Sequence, residues 1–249
     1  MTMKTVSART ILITGANGHL GRAIAEAFLE ESPENRLWLG VHRRREHADK
    51  LAAAQAGRCR VVSLDVTQPE SWQAAVTEIL GAPSRRLDVL VNNAGAHDDA
   101  FLAQMKPASW RDILAVNLDG VFHGCRAVLP AMISQHGGRI INIASLSALL
   151  APPGQTNYAA AKAGVVSLTQ SLAKEVARIG ITVNAVCPGY LDSEMLAEMD
   201  EAARQRALAQ IPMRRFGKPE EVAAAVRFLA CPQAAYITGS ALKIDGGIL

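Results

Sequence analysis

The chain has 249 residues, 49% of them apolar and 20% charged, with a formal net charge of +3. This is a folding composition, which argues against disorder, and the near-balance of acids and bases gives no case for nucleic acid or a membrane surface as a partner. No run approaches the roughly 20 apolar residues that span a bilayer, and residues 1–10 show no leader pattern. Cys59, Cys125, Cys187 and Cys231 lie far apart without a CxxC pair. They read as free thiols of a cytoplasmic protein. The histidines form no HExxH-type cluster, so no metal is expected.

In chain order, Thr10–Thr14, Leu37–Val41, Cys59–Leu64, Asp88–Val91, Arg139–Ala144, Ile181–Val186 and Ala241–Ile244 read as strands. They are continuously apolar rather than alternating, as strands buried on both faces of a parallel sheet are. Helical stretches separate them near residues 19–30, 46–56, 69–80, 107–136, 155–179 and 219–230. The β-α alternation predicts a doubly wound α/β fold of the Rossmann type, with helices on both faces of about seven parallel strands. No linker, repeat or low-complexity block divides the chain, so one catalytic domain over 1–249 is expected. Ser193–Arg215, with Met195, Met199 and Met213, breaks the rhythm after the sixth strand. It reads as a flap over a site or as a surface hairpin packed by its methionines, and its place after a strand end favours the flap.

Ligands of open α/β sheets sit at the carboxyl ends of the strands. There the first strand runs into Thr14-Gly15-Ala16-Asn17-Gly18-His19-Leu20-Gly21 and then a helix. Such a glycine turn lets a pyrophosphate approach the backbone and meet the free N–H groups of the helix start. An acid after the second strand would hold a ribose 2′-OH and favour NAD. This chain has His42-Arg43-Arg44-Arg45 instead. Guanidinium groups suit the 2′-phosphate of NADP(H), and Arg43 is the first choice, Arg44 the second. A merely solvated basic helix start is the competing reading, and the helix dipole disfavours it. Asp65 and Val66 close the third strand, where a short acid meets an adenine edge, and Asn92-Asn93-Ala94-Gly95 closes the fourth. Tyr158 and Lys162, four apart, share one face of a predicted helix, with Ser145 at the end of the preceding strand.

In this order these residues resemble the short-chain dehydrogenase/reductase family over nearly the whole chain. The matching set is Gly15/Gly18/Gly21, Asn92–Gly95, Asn117, Ser145, Tyr158/Lys162 and Pro188-Gly189. Within the family the chain is similar to the 3-oxoacyl-[acyl-carrier-protein] reductases through Pro212–Val222, Ala235–Gly239 and Asp245-Gly246-Gly247. The middle glycine falls at Gly18, where the family's shorter branch would place it at His19. The arginines that face the acidic carrier in such reductases are replaced by His136 and Ile179, with Arg139 and Arg178 nearby.

The resemblance implies an NADPH-dependent carbonyl reductase of 3-oxoacyl thioesters, linked to acyl carrier protein or coenzyme A, working as a homotetramer. It implies Asn117, Ser145, Tyr158 and Lys162 as the catalytic set. Asn117 bends its helix and serves a proton relay, Ser145 holds the substrate oxygen, and Tyr158 donates the proton. For the cofactor it implies the turn from Thr14 to Gly21, Asn92, Ala94, Gly95, Pro188, Gly189, Leu191 and Ser193, together with Tyr158 and Lys162. A cation about 4 Å from a phenol is worth roughly 4 kcal/mol at an effective dielectric of 20. Lys162 is therefore expected to lower the Tyr158 pKa by up to about three units, less the opposing desolvation. An alcohol or sugar dehydrogenase acting on a free small molecule is the alternative. A non-catalytic cofactor-binding regulator is less favoured, because no member of the catalytic set is missing.

Overall fold

The computed structural model describes residues 8–192 and 200–249. Strands β1 (Thr10–Thr14), β2 (Arg36–Val41), β3 (Cys59–Ser63), β4 (Val89–Asn92), β5 (Gly138–Ile143), β6 (Ile181–Pro188) and β7 (Ala241–Ile244) form one sheet. Its order is β3-β2-β1-β4-β5-β6-β7, and every pairing is parallel. Chain order reverses between β1 and β4, which opens a crevice at the carboxyl edge. The turn after β1 and the ends of β4 and β5 border that crevice.

Successive side chains of a strand face opposite sides, and the core divides accordingly. Ile11, Ile13, Leu37, Leu39, Val89 and Val91 face one side. There they meet helices α1 (His19–Glu31), α2 (Glu46–Ala54) and, near the chain's end, Pro219–Ala230. Leu12, Trp38, Leu90, Ile140 and Val183 face the other. They pack on α3 (Pro69–Gly81), on Pro107–Ser134 and on Thr156–Val176. Proline at the first helical position starts α3, where its missing N–H costs nothing. Trp72 on α3 is buried and donates its indole N–H to the Val66 carbonyl at 3.0 Å.

The predicted helix over 107–136 is not continuous. It divides into α4 (Pro107–Leu114), a π-helical turn over Ala115–Asp119 and α5 (Gly120–Ser134). A short α6 (Ser147–Leu150), unforeseen in the sequence, precedes α7 (Thr156–Val176). Of the expected flap, Ser193, Met195 and Met199 lie outside the described residues. Beyond them come α8 (Glu201–Gln210) and α9 (Pro219–Ala230). Of the three methionines only Met213 is described, and it is 65% exposed. The segment's apolar contacts come from Ala207, Ile211 and Phe216, with Ile248 against them. The segment's base is tied down by Gly217 N–H to Tyr190 O and Asp192 N–H to Gly217 O.

Candidate active site

The turn after β1 needs its glycines for different reasons. Gly15 has φ +63°, and a Cβ there would lie 2.9 Å from Ala94 Cα. A Cβ on Gly21 would lie 2.4 Å from the Gly15 carbonyl oxygen. These contacts press α1 against the turn. A Cβ at Gly18 would meet only that same oxygen at 3.4 Å, so space does not demand the shifted middle glycine. Gly18 caps α1 without a side-chain bond, and His19, the first helical residue, is exposed. The helix start therefore presents bare N–H groups and the positive end of its dipole, which suits a pyrophosphate.

Thr14 and Asn93 lace the turn to the end of β4. Thr14 Oγ1 accepts from the N–H groups of Asn93 and Ala94 at 3.0 and 2.9 Å, and Asn93 Nδ2 donates to Thr14 O at 2.9 Å. Asn17 points the other way. Its Oδ1 accepts from His47 N–H at 2.8 Å and Ala48 N–H at 3.2 Å. It thus caps α2, whose own N-cap residue, Arg45, makes no side-chain cap. Arg45 forks onto Asp49 at 2.7 and 3.0 Å. Arg43 and Arg44 are exposed, and among the described residues neither makes a salt bridge or side-chain hydrogen bond. They are the two guanidinium groups singled out from the sequence.

Asp65 Oδ1 accepts from Thr67 N–H and Oγ1 at 3.0 and 2.8 Å, and Oδ2 lies 3.6 Å from His42 Nε2. Burial pushes the Asp65 pKa up, but the Thr67 bonds and the charges of His42 and Arg43 outweigh it and hold the group below its usual range. Val66 is buried against Gly120. Asn92 is buried too, its Nδ2 on Asn142 Oδ1 at 2.8 Å, so its side chain belongs to the core and only its main chain faces the crevice. Asn142 Nδ2 continues to Thr169 Oγ1 at 2.9 Å, tying β4 and β5 to α7. Pro188 closes β6, and Gly189 packs so tightly on Asp245 that a Cβ would meet its Cα at 2.9 Å. Leu191 pairs with Gly217. Ser193 lies outside the described residues.

The four residues of the expected catalytic set converge. Asn117 sits in the π turn, fully buried, and donates from Nδ2 to Ala96 O at 2.7 Å and Ile113 O at 2.9 Å. The second bond occupies the carbonyl four residues back, which a regular helix would give to a backbone N–H. Here the side chain takes the place of that backbone donor, and the helix bulges. A Cβ added to Gly95 would lie 2.9 Å from Asn117 Oδ1 and 3.7 Å from Lys162 Nζ, so the glycine admits both side chains to one space. Lys162 is 3% exposed and donates to Ile143 O at 2.8 Å. Its Nζ stands 5.6 Å from the centre of the Tyr158 ring. The Ser145 hydroxyl lies on the phenol side of this space and favours the ionised form of Tyr158.

The expected acidification of Tyr158 is not found. Burial raises its pKa above the usual phenol value, the Ser145 hydroxyl opposes, and the Asp99 carboxylate adds to the rise. Burial likewise pushes the Lys162 ammonium down to about 8. The two groups share one desolvated space, and the nearest bond of the ammonium is to Ile143 O rather than to the phenol. Desolvation outweighs their attraction. Cys187, at the end of β6, is fully buried and its thiol is raised by burial.

Three neighbours, Asp99, Ser147 and Gln155, were not singled out by name in sequence, although Asp99 and Gln155 fall in the stretches Ala96–Met105 and Ala148–Gln155 expected to shape the pocket. Ser147 N–H donates to Ser145 Oγ at 3.1 Å, Ser147 Oγ donates to Gln155 Oε1 at 2.8 Å, and Gln155 Nε2 donates to Asp99 Oδ2 at 2.7 Å. The available signal was Gln155 standing just before the Asn157-Tyr158 pair, but nothing local singled out Asp99. Arg139 and Arg178, by contrast, stand at the opposite edge of the sheet. Arg139 opens β5 and bonds Gly180 O at 3.2 Å, whereas Ser145 follows the far end of the same strand.

A family model described as enoyl-(acyl carrier protein) reductase matches residues 15–249. The 3-oxoacyl-[acyl-carrier-protein] reductase FabG of Vibrio cholerae is 41% identical over 243 residues, covering 96% of this chain and 97% of its own. That of Thermotoga maritima is 41% identical over 244 residues, covering 97% and 98%. That of Escherichia coli is 40% identical over 237 residues, covering 95% and 96%.

Proposed function

Because the chain belongs to the short-chain dehydrogenase/reductase family, an oxidoreductase family that takes a nicotinamide cofactor and acts on CH–OH/C=O groups, we propose that it is an NADPH-dependent 3-oxoacyl thioester reductase. The substrate class comes from the relatives, which are named for it and align from end to end. The observation that carries the chemistry is the convergence of Ser145, Tyr158, Lys162 and Asn117 on one desolvated space beside the crevice. The observation that carries NADP selectivity is the pair Arg43 and Arg44, exposed and without ion partners among the described residues. The acyl group arrives as a thioester of acyl carrier protein or coenzyme A. On this reading residues 1–249 act as one catalytic domain in a homotetramer, with the 193–215 segment as its substrate flap.

The residues present fit the cofactor. The bare start of α1 and the close glycine turn take the pyrophosphate, Arg43 and Arg44 the 2′-phosphate, and Asp65 the adenine edge. Pro188, Gly189 and Leu191 form the wall on the nicotinamide side. Bound there, NADPH supplies the hydride for the ketone carbon. Ser145 has one proton, and its oxygen already accepts from Ser147 N–H. Its proton, turned toward the phenol in the free site, is redirected to the substrate carbonyl oxygen and holds it beside Tyr158. Tyr158 gives its proton to that oxygen as negative charge develops. The raised pKa keeps the phenol protonated through the neutral range, which suits the donor in the reducing direction. Lys162 stabilises the phenolate that remains, and Asn117 holds the space through which a proton returns.

The test is NADPH oxidation with 3-oxoacyl thioesters, trans-2-enoyl thioesters and free ketones or sugars side by side. Turnover of the 3-oxoacyl thioester above the others is expected. Turnover confined to the enoyl thioester would move the reaction to the double-bond reduction for which the family model is named. Activity on free ketones or sugars alone would point to a small-molecule dehydrogenase.

A further inference from the structure

Ser145 cannot orient itself. A serine hydroxyl rotates freely and carries one proton, so its usefulness depends on which neighbour takes its lone pair. Here that neighbour is Ser147 N–H at 3.1 Å, which leaves the Ser145 proton for the phenol side. Ser147 is in turn held by its own hydroxyl, which donates to Gln155 Oε1 at 2.8 Å. The Gln155 amide then donates to Asp99 Oδ2 at 2.7 Å. The two side-chain bonds run in one sense and end on an anion, the arrangement in which successive hydrogen bonds reinforce one another.

The geometry reaches Tyr158 by a second route. Gln155 is the residue on which α7 begins, and Tyr158 lies in its first turn. The loop after β4 is sewn to this helix start by Ala100 N–H to Gly154 O at 2.9 Å and Asn157 Nδ2 to Asp98 O at 3.0 Å. Asp99 therefore lies between two bonds of a seam, on a loop that borders the reacting groups.

We propose that Asp99, acting through Gln155 and Ser147, is a positioning residue for Ser145 and a fixed negative charge that governs when Tyr158 gives up its proton. This rests on the reading of Tyr158 as proton donor. Among the described residues, the charged and titratable groups around the phenol are Lys162 on its own helix and Asp99 on the loop after β4, with Cys187 of β6 acting on Lys162. Ser145, Asn117 and α6 bring no charge. A nearby carboxylate disfavours phenolate, so it extends the pH range over which Tyr158 stays protonated.

Three variants separate position from charge. Asp99→Asn keeps an acceptor for Gln155 and loses the charge. The high-pH fall of kcat/KM for ketone reduction then moves to lower pH, and the displacement shrinks in high salt because Asp99 is exposed. Gln155→Ala breaks the chain and leaves the charge, so kcat falls about tenfold while NADPH affinity by fluorescence titration is unchanged. Asp99→Ala shows both effects, with a larger loss of kcat than Asp99→Asn. If Asp99→Ala does not fold, the other two variants decide the matter. An unmoved pH profile in Asp99→Asn at low salt, or an undiminished kcat in Gln155→Ala, overturns the proposal. Tyr158→Phe is measured alongside: an active Tyr158→Phe enzyme would sink the proton-donor reading itself, whereas an inactive one with unaffected Asp99 and Gln155 variants would sink only this inference.

Discussion

Lys162 shows at the residue scale how a buried ammonium opposes stability. It is buried against Ile143 O and Tyr158, with its pKa pushed to about 8. Between about 8 and the ordinary lysine range the unfolded chain holds a proton that the folded chain has released. Stability therefore rises with pH through that window, and below it the buried ammonium is a full cost of about 3 kcal/mol at most. Lys162→Met removes that cost but leaves the Ile143 carbonyl without its donor, a loss of about 1–2 kcal/mol. The variant should gain about 1 kcal/mol near neutrality, or about 2–4 °C in Tm for a chain of this size, and the gain should fade as pH approaches the ordinary lysine range. Thermal unfolding across pH measures it, and a Tm that falls at neutral pH would contradict the account. Turnover should drop by about 100-fold or more in the same protein. Tyr158→Phe differs: it deletes the donor without a charge, so turnover falls by about 100-fold or more while NADPH affinity, read by fluorescence, stays near that of the wild type.

At the scale of elements, the π turn and the capped α2 each depend on one asparagine, Asn117 and Asn17. Asn117→Ala frees Ala96 O and Ile113 O inside the fold. Two buried acceptors left unpaired cost about 2–4 kcal/mol, so denaturant unfolding should show a lower midpoint, and turnover should fall with it. Asn17→Ala removes the acceptor over His47 and Ala48, a helix-cap loss of about 1 kcal/mol. Since α2 begins directly after Arg43 and Arg44, its fraying should weaken NADPH binding more than NADH binding, which paired fluorescence titrations test. These two residues also mark how far the sequence could be read. The strands were legible as seven apolar runs, of which the central ones bury both faces while β3 is partly exposed and β7 has no buried residue, and Thr14 to Gly21 with Tyr158 and Lys162 were legible because their chemistry is spaced locally. The π turn was not, because one side chain satisfying the Ile113 carbonyl leaves hydrophobic periodicity unchanged. Nor was the partner of Asn17, which lies 30 residues on, nor the Gln155–Asp99 link, which crosses 56 residues. The Tyr158 acidity was misjudged for a related reason: charge spacing can be read along a helix, but the burial that outweighs it is set by the whole fold.

At the scale of the whole molecule, the parallel order β3-β2-β1-β4-β5-β6-β7 brings the glycine turn of β1, the arginines after β2 and helix α7 with Tyr158 and Lys162 to one edge of the sheet. A dinucleotide lying along that edge bridges elements that are distant in the chain, so its binding free energy adds to global stability. The added stability is RT ln(1 + [L]/Kd), about 2.7 kcal/mol at 100 times Kd. NADPH and NADH differ only in the 2′-phosphate, and Arg43 and Arg44 are the exposed cations free to meet it. At equal concentration NADPH should therefore raise Tm more than NADH. Arg43→Ala should reduce the NADPH shift and leave the NADH shift in place, and Arg43→Ala/Arg44→Ala should bring the two shifts close together. High salt should narrow the same gap, since exposed charges are screened over about 10 Å at 0.1 M, while the part of the shift owed to the glycine turn persists. Equal NADPH and NADH shifts in the wild-type chain at low salt would remove the arginines from cofactor selection and leave the 2′-hydroxyl contact to be sought elsewhere on that edge.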